Sequence, residues 1–447
     1  MTVAIDMSDL HVIVGLGATG LSCAHFLAQQ HIPIAITDTR IHPPQLAALQ
    51  ESCPEVRLAL GGLDASLLNQ AACIVLSPGV SLQDPMLVAQ IKRGVPIIGD
   101  IELFSQAVCA PVIAITGTNA KSTVTTLVGK MAKAAGYHSQ VGGNLGLPAL
   151  DLLSLDTKTN LYVLELSSFQ LETTYSLKPM VATVLNITPD HMDRYADFTA
   201  YQQAKHRVYQ HCQVAVCNYD DVLTEHNHVR KFYFTMRPPM NNQFGLLVAN
   251  GMTYLAYENH RLLATAELPV KGKHYQINAL AALAIGYGFG LPFEPMLAVL
   301  RDFPGLPHRC QFVRELNGVA WYNDSKGTNV GATLAAIHGL GSDISGRLIL
   351  IAGGVGKKAD FSPLINVILK YVRHVVLLGE AANELAQVIG KRVPVSFAQS
   401  MEDAVWQANK QAQSHDSVLL SPACASFDMF KHFEHRGEVF MEIVKNL

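Results

Sequence analysis

The chain has 447 residues, 49% of them apolar and 15% charged, with a formal net charge of −3. That length suggests about three domains, and the apolar share is ample for parallel strands buried on both faces. With no long basic or acidic run, nucleic-acid binding driven by phosphate neutralisation is excluded. No basic region followed by an apolar stretch opens the chain between Met1 and Leu10, so no secretory leader is expected. The most apolar long segment, Ile277 to Leu291, is broken by three glycines and is too short to span a membrane. A soluble, cytoplasmic protein is expected. The eight cysteines show neither CxxC nor zinc-ligand spacing and read as reduced and buried.

Apolar strand-like runs alternate with helical patterns, which predicts an α/β architecture. His11 to Val14 reads as a strand, followed by Gly15-Leu16-Gly17-Ala18-Thr19-Gly20 and a helix through Gln30. Ile34 to Thr37 is the next strand and ends at Asp38-Thr39-Arg40. A glycine turn opening a helix, with an acid closing the second strand, is the layout of a dinucleotide site with the acid on a ribose. The same turn binds pyrophosphate generally, so a UDP-sugar fits as well as NAD, and Arg40 could pair with a phosphate. Packing of strand on helix is the alternative need for the glycines. Cys73 to Leu76 then runs into Ser77-Pro78-Gly79, and a turn-rich patch at Gly94 to Gly99 predicts a boundary near residue 100.

The second unit opens on the strand Pro111 to Ile115, the loop Gly117-Thr118-Asn119-Ala120-Lys121-Ser122-Thr123 and a helix from Val124 to Ala135, closed by Gly136. Strand, small-residue loop and helix start place backbone N–H groups and a positive helix end around an anion. Lys121 would add a cation for the β- and γ-phosphates, and the Ser122 hydroxyl a ligand for Mg²⁺. The strand Leu161 to Leu164 ends at Glu165, where a carboxylate suits Mg²⁺, although a lone strand-terminal Glu is commonly on the surface. After the strand Val181 to Leu185, Asp190-His191-Met192-Asp193-Arg194 gathers ionisable groups on a loop, plausible as ligand or base. Lys205, on a helix opening near Phe198, would by default be solvated. The unit is expected to end at the Pro304-Gly305-Leu306-Pro307 cluster.

The third unit holds strands Val319 to Tyr322, Leu348 to Ala352, His374 to Leu378 and Ser417 to Leu420. Asn323-Asp324-Ser325-Lys326-Gly327-Thr328-Asn329 and Ser421-Pro422-Ala423-Cys424-Ala425-Ser426-Phe427 follow two of them. Helix capping explains Asp324 and Ser426 without a ligand. Facing Gly353-Gly354-Val355-Gly356-Lys357-Lys358, the two loops would instead make a pocket for a small anion. The predicted units are residues 1–100, 101–305 and 306–447.

In this order and spacing the segments resemble the Mur ligases over essentially the whole chain, and within them the D-glutamate-adding branch. The most specific stretches are Gly117 to Ser122, Glu165 to Glu172, Asp190 to Arg194, Asn323 to Asn329 and Ser421 to Ser426. The resemblance implies a Rossmann-like N-terminal domain, a central P-loop ATPase-like domain and a Rossmann-like C-terminal domain. It implies ATP and Mg²⁺ as cofactors, UDP-N-acetylmuramoyl-L-alanine and D-glutamate as substrates, and a monomer. On this resemblance Leu16, Thr19, Asp38, Thr39, Arg40, Ser77 and Gly79 hold the uridine diphosphate, with Asn144 and His191 toward the muramoyl portion. ATP is held by residues 117–123, with Asn278, Arg309 and Asp324 at the adenosine. Ser122 and Glu165 bind one Mg²⁺; Glu165, His191 and a carbamylated Lys205 bind or position a second. Lys326, Thr328, Lys357, Ser426, Phe427 and Phe433 take D-glutamate. The implied catalytic residues are Lys121, His191, Lys205 and Glu165, acting through an acyl phosphate and a tetrahedral intermediate.

Ala120, Tyr275 and Val355 depart from the family pattern, which has glycine, asparagine and aspartate there. The competing readings are another Mur-type or folylpolyglutamate-synthase-like ligase, a nicotinamide oxidoreductase using the first glycine turn, and a nucleotide-binding module without catalysis.

Overall fold

A computed structural model describes residues 9–227, 230–270 and 272–447. Most of the Met1 to Leu10 segment, where no leader pattern is read, lies outside them. The first sheet comprises β1 (His11–Val14), β2 (Ile34–Asp38), β3 (Arg57–Leu60), β4 (Cys73–Leu76) and β5 (Ile97–Ile98) in the order β3-β2-β1-β4-β5. All of its pairings are parallel. The strand order reverses between β1 and β4, where an open sheet leaves a crevice at its C-terminal edge. Val14 pairs with Leu76, so the Gly15 and Ser77 loops leave the sheet side by side.

The second sheet has nine strands: β6 (Val112–Thr116), β7 (Ser139–Gly143), β8 (Leu161–Glu165), β9 (Val181–Val184), β10 (Val214–Asn218), β11 (Lys231–Phe234), β12 (Gln243–Ala249), β13 (Met252–Tyr257) and β14 (His260–Ala264). The sequence expectation held only β6, β8 and β9. Strands β12 and β13 turn through Asn250 and Gly251, both at positive φ. That is the Asn-Gly hairpin signature, flanked by strands of seven and six residues. β6 lies between β9 and β8, with Ile115 beside Glu165 and Thr116 beside Val184. Parallel register thus brings the loops after all three strands to one edge.

The third sheet follows the same logic. Its strands are β15 (Gln311–Leu316), β16 (Val319–Asn323), β17 (Leu348–Ala352), β18 (Val372–Leu377), β19 (Val395–Phe397) and β20 (Ser417–Leu420), ordered β15-β16-β20-β17-β18-β19. Leu420 pairs with both Asn323 and Ile351, so the loops after β16, β20 and β17 are neighbours. The capping explanation for Asp324 and Ser426 fails. The helix Val330–Gly341 is capped by Asn329, and Phe433–Asn446 by His432.

Ile277 to Leu291 falls largely within the helix Lys273–Phe289, and among the described residues no helix is long and apolar enough to cross a membrane. None of the eight cysteines forms a disulfide, and five of them are buried. Cys53 and Cys310 are half-buried against apolar clusters and Cys109 is exposed.

Between the first two sheets, Asp100 opens the helix Asp100–Ala107 with its side chain fully buried. One carboxylate oxygen accepts from Gln170 Nε2 at 2.9 Å, and the other has no partner. Burial pushes this carboxyl up from 3.8 to about 6. An acid with a raised folded-state pKa binds its proton more tightly when folded. Its penalty is absent below pH ~4 and grows to as much as ~3 kcal/mol above pH ~6. Asp100→Asn is therefore expected to gain stability over the parent only as pH rises through that window. Urea unfolding at pH 4, 6 and 8 checks it; a gain equal at all three values would contradict burial as the cause.

Candidate functional site

The phosphate loop leaves β6 and doubles back at Ala120, whose φ of +67° lies in the left-handed region. A side chain there costs about 1 kcal/mol relative to glycine. Ala120→Gly is expected to raise stability by about that amount while changing the KM for ATP only modestly. Thermal unfolding and steady-state kinetics read both, and a KM rise above about tenfold would mean the loop holds phosphate differently.

Lys121 folds back over the loop, its Nζ donating to the carbonyls of Gly117 and Thr118 at 3.0 Å each. Lys205 is not solvated. Its side chain is buried, with Nζ 2.9 Å from the Gly117 carbonyl and 4.7 Å from the Tyr201 ring centroid. Burial, reinforced by Lys121, pushes its pKa well below the ordinary lysine value. Glu165 is likewise buried. Its Oε1 accepts from Asn144 Nδ2 at 2.8 Å, while Oε2 is buried without a partner. Burial alone would raise this carboxyl, but Lys121, Ser122 and Asn144 outweigh it and hold it ionised.

The loop after β9 braces the phosphate loop. Asn186 takes the Thr118 and Asn119 amides, and Thr118 Oγ1 meets Tyr201 OH at 3.0 Å. From the third unit, Asn329 Nδ2 donates to Asn119 Oδ1 (3.1 Å) and Asp190 Oδ2 (3.0 Å), and Lys357 Nζ to Asp190 Oδ1 (3.2 Å). His191 stands next to Asp190 at φ +56°. Burial lowers its pKa, opposed by Asp190, so the imidazole is neutral near pH 7 and able to accept a proton.

Arg309, implied at adenosine, reaches the phosphate loop. Its Nη2 donates to Ser122 Oγ at 2.7 Å, which sets the guanidinium against the phosphate end of the loop. Asp324 is buried rather than open to a ribose; it takes hydrogen bonds from Ser421 Oγ at 2.7 Å and the Cys310 amide at 3.2 Å. Burial raises it to about 6. Lys326 lies with Nζ 3.8 Å from the Phe433 ring centroid, and burial followed by Arg309 and Lys121 lowers it to about 8. Ser426 is buried and Phe427 exposed. Asn278 is half-buried on the helix Lys273–Phe289. The contacts described above do not tie Asn278, Thr328 or Phe427 to the phosphate loop.

At the first unit, a Cβ on Gly20 would lie 2.0 Å from the Gly15 carbonyl, so close packing does require that glycine. A Cβ on Gly17 or Gly79 would meet nothing, which leaves both backbones open to a ligand. Gly17 precedes the helix Ala18–Gln29 without a side-chain cap, a ready anion site on the Thr19 turn. Asp38 is not free to take a ribose as expected. It accepts from the Leu16 amide (2.7 Å) and from Arg40 Nε (2.9 Å) and Nη2 (2.6 Å). Arg40 and Leu16 overcome the effect of burial and hold it at about 2. Arg40 is thereby paired with a carboxylate. Ser77 Oγ donates to the Gly15 carbonyl at 2.8 Å, and Thr39 is exposed beside Arg40.

Among the described residues no three His, Cys, Asp or Glu side chains gather as a metal cage. The donor set at the loop nevertheless fits one hard cation: a buried, ionised carboxylate with an orphaned oxygen beside a hydroxyl, the rest to come from phosphate and water. For a second ion the unmodified Lys205 offers no ligand, since its ammonium or amine faces the Gly117 carbonyl.

Comparison with known proteins decides the family. Residues 9–99 match the Mur ligase MurD-like N-terminal domain, 115–286 the Mur ligase middle domain, and 308–424 the Mur ligase glutamate ligase domain. The chain belongs to the Mur ligase family. It is 52% identical over 100% of both chains to a Pseudomonas putida UDP-N-acetylmuramoylalanine–D-glutamate ligase. It is 53% identical to the Nitrosococcus oceani protein of that name, covering 98% of this chain and 96% of that one. Among solved structures, a pseudomurein peptide ligase type C from Methanothermus fervidus (TM-score 0.62, 18% identity) and the UDP-N-acetylmuramate–alanine ligase of Thermotoga maritima (0.61, 17%) each cover 98% of this chain and 99% of their own. At such identities they speak for a shared three-domain fold.

Of the three departures from the Mur ligase pattern, Tyr275 is a core residue, its ring stacked on Phe303 with centroids 6.3 Å apart. Val355 works through its backbone, exchanging both hydrogen bonds with Ala425 and so tying the glycine turn to the Ser421 loop. Sequence reasoning missed Arg436 altogether. This buried arginine donates to Ser325 and to the carbonyls of Cys424 and Ala425, clamping two site loops together. Nothing local marks it, because its partners lie more than a hundred residues upstream or in the preceding loop.

Proposed function

We propose that this Mur ligase joins D-glutamate to the L-alanyl carboxyl of UDP-N-acetylmuramoyl-L-alanine at the expense of ATP, in cytoplasmic peptidoglycan precursor synthesis. The observation that carries the reading is that the phosphate loop, with Lys121 and Lys205 on its carbonyls, meets Arg309 of the third unit at Ser122 and Asn329 at Asn119, while Lys357 pairs with the neighbouring Asp190. Residues 1–100 are assigned the UDP-sugar, 101–305 ATP and 306–447 the amino acid, in a monomer whose site one chain completes.

In this reading the L-alanyl carboxylate attacks the γ-phosphorus of ATP in line and ADP leaves. Lys121 swings from the loop carbonyls to the transferring oxygens, and Arg309, already at Ser122, neutralises charge beside it. Ser122 and Glu165 would hold Mg²⁺, which supplies charge neutralisation on the phosphates when bound. The acyl phosphate then offers a carbonyl to the D-glutamate amine, held by Lys326 and Lys357 at its carboxylates. Neutral His191 is placed to take the amine proton. The tetrahedral oxyanion collapses to amide and inorganic phosphate. Burial pushes the pKa of Lys205 down, which favours the neutral amine that adds carbon dioxide. Losing a proton, the adduct becomes a long carboxylate beside Lys121.

Phosphate release from ATP tests this. It is expected only with both UDP-N-acetylmuramoyl-L-alanine and D-glutamate present. Release with L-lysine, diaminopimelate or a glutamylated folate instead would assign another branch, and saturable NADH binding would favour the oxidoreductase reading.

A further inference from the structure

Arg194 closes the Asp190 to Arg194 segment, yet none of the roles above uses it. Its guanidinium reaches out of the second unit into the first. Nη1 donates to the Pro78 carbonyl at 3.1 Å and Nη2 to the Val80 carbonyl at 2.9 Å. The two bonds straddle Gly79, where an added Cβ would meet nothing. On its other side the guanidinium lies 4.2 Å from the Phe169 ring centroid and 3.6 Å from Glu172 Oε2. Phe169 in turn meets the His191 ring edge-on, with centroids 5.0 Å apart. The Arg194 amide also closes a turn on the His191 carbonyl at 2.9 Å. One side chain therefore grips the Ser77–Val80 loop, while its own backbone and stacking partner fix His191.

We infer that Arg194 is a positioning residue: it relays seating of the UDP-sugar diphosphate on the Gly79 loop to the placement of His191 at the reacting end. The inference rests on the assignment of the first unit to the UDP-sugar. Its physical basis is the planar fork of arginine, which holds two carbonyls at once and stacks on a ring, where lysine can satisfy one contact at a time. A rigid loop with two anchored ends transmits a shift; with one end cut it does not. Arg194 thus acts on chemistry without touching substrate.

The test combines kinetics with amide hydrogen exchange on the full chain. In the parent, UDP-N-acetylmuramoyl-L-alanine should slow exchange at both residues 77–80 and 186–195. In Arg194→Met, which keeps the apolar stem, 77–80 should still slow while the effect at 186–195 disappears. The KM for the UDP-sugar should rise and kcat should fall, each by about tenfold, with the KM for ATP within about twofold. Arg194→Lys should recover only a small part of the loss. Phe169→Leu, which leaves the grip on residues 78 and 80, should lower kcat with little change in KM. Parent-like kinetics in Arg194→Met, full rescue by lysine, or slowed exchange at 186–195 in Arg194→Met would overturn the relay. If 77–80 fails to slow in the parent, the fault lies instead with the assignment of the UDP-sugar to the first unit, and the relay falls with it.

Discussion

Lys205→Ala is expected to lose on the order of a thousandfold in substrate-dependent phosphate release, and to recover part of it with added acetate or another short carboxylate. The expectation follows from where the amine sits. A buried lysine with Nζ on the Gly117 carbonyl and Lys121 close by places two cations at one loop. Desolvation eases the conflict by lowering the pKa of Lys205. In its neutral form the amine is nucleophilic and open to carbon dioxide; the carbamate then reverses the sign of the charge beside Lys121 and Glu165. Bicarbonate labelled with ¹³C should give a carbamate resonance in the parent and none in Lys205→Ala. Because the substitution also leaves a cavity under the loop, thermal unfolding should accompany the assay. Unchanged activity in a folded variant would remove the lysine from the chemistry, and lost activity without carboxylate rescue would leave it a packing role only.

Glu165→Gln is expected to reduce turnover by about a hundredfold or more and to raise the Mg²⁺ concentration needed for half-maximal rate. Glutamine preserves shape and can still accept from Asn144, so the loop should stay folded. What disappears is the charge on a buried oxygen that has no protein partner. Glu165 also opposes the effect of burial on Lys121, so without it Lys121 should lose its proton at lower pH and the alkaline limb of the rate profile should move down. Titrations of Mg²⁺ at pH 7 and 9 separate the two effects. A half-saturation point that does not move would show that the orphaned oxygen has another purpose.

The sequence by itself determined the fold class and the segments that carry chemistry. Buried parallel strands such as His11–Val14, Leu348–Ala352 and Ser417–Leu420 are continuous apolar runs between turn residues, and their observed bounds match the reading. Loops dense in glycine, small polar groups and one lysine at strand ends are legible for the same reason: backbone access to an anion demands those residue types locally. The edge strand Ser139–Gly143 was not legible, since pairing with its neighbour, more than propensity, holds it.

Only the tertiary structure decided which charges face one another. It set Arg309 against Ser122, closed Asp38 on Arg40 and Leu16, and buried Lys205, which sequence would leave in solvent. It also revealed Arg436 and the reach of Arg194 to carbonyls more than a hundred positions away. The reason is physical. A strand's burial is written in its own residues, but a side chain's pKa and partner depend on groups delivered by other strands, helices and loops, and only the packing of the three units sets which ones arrive.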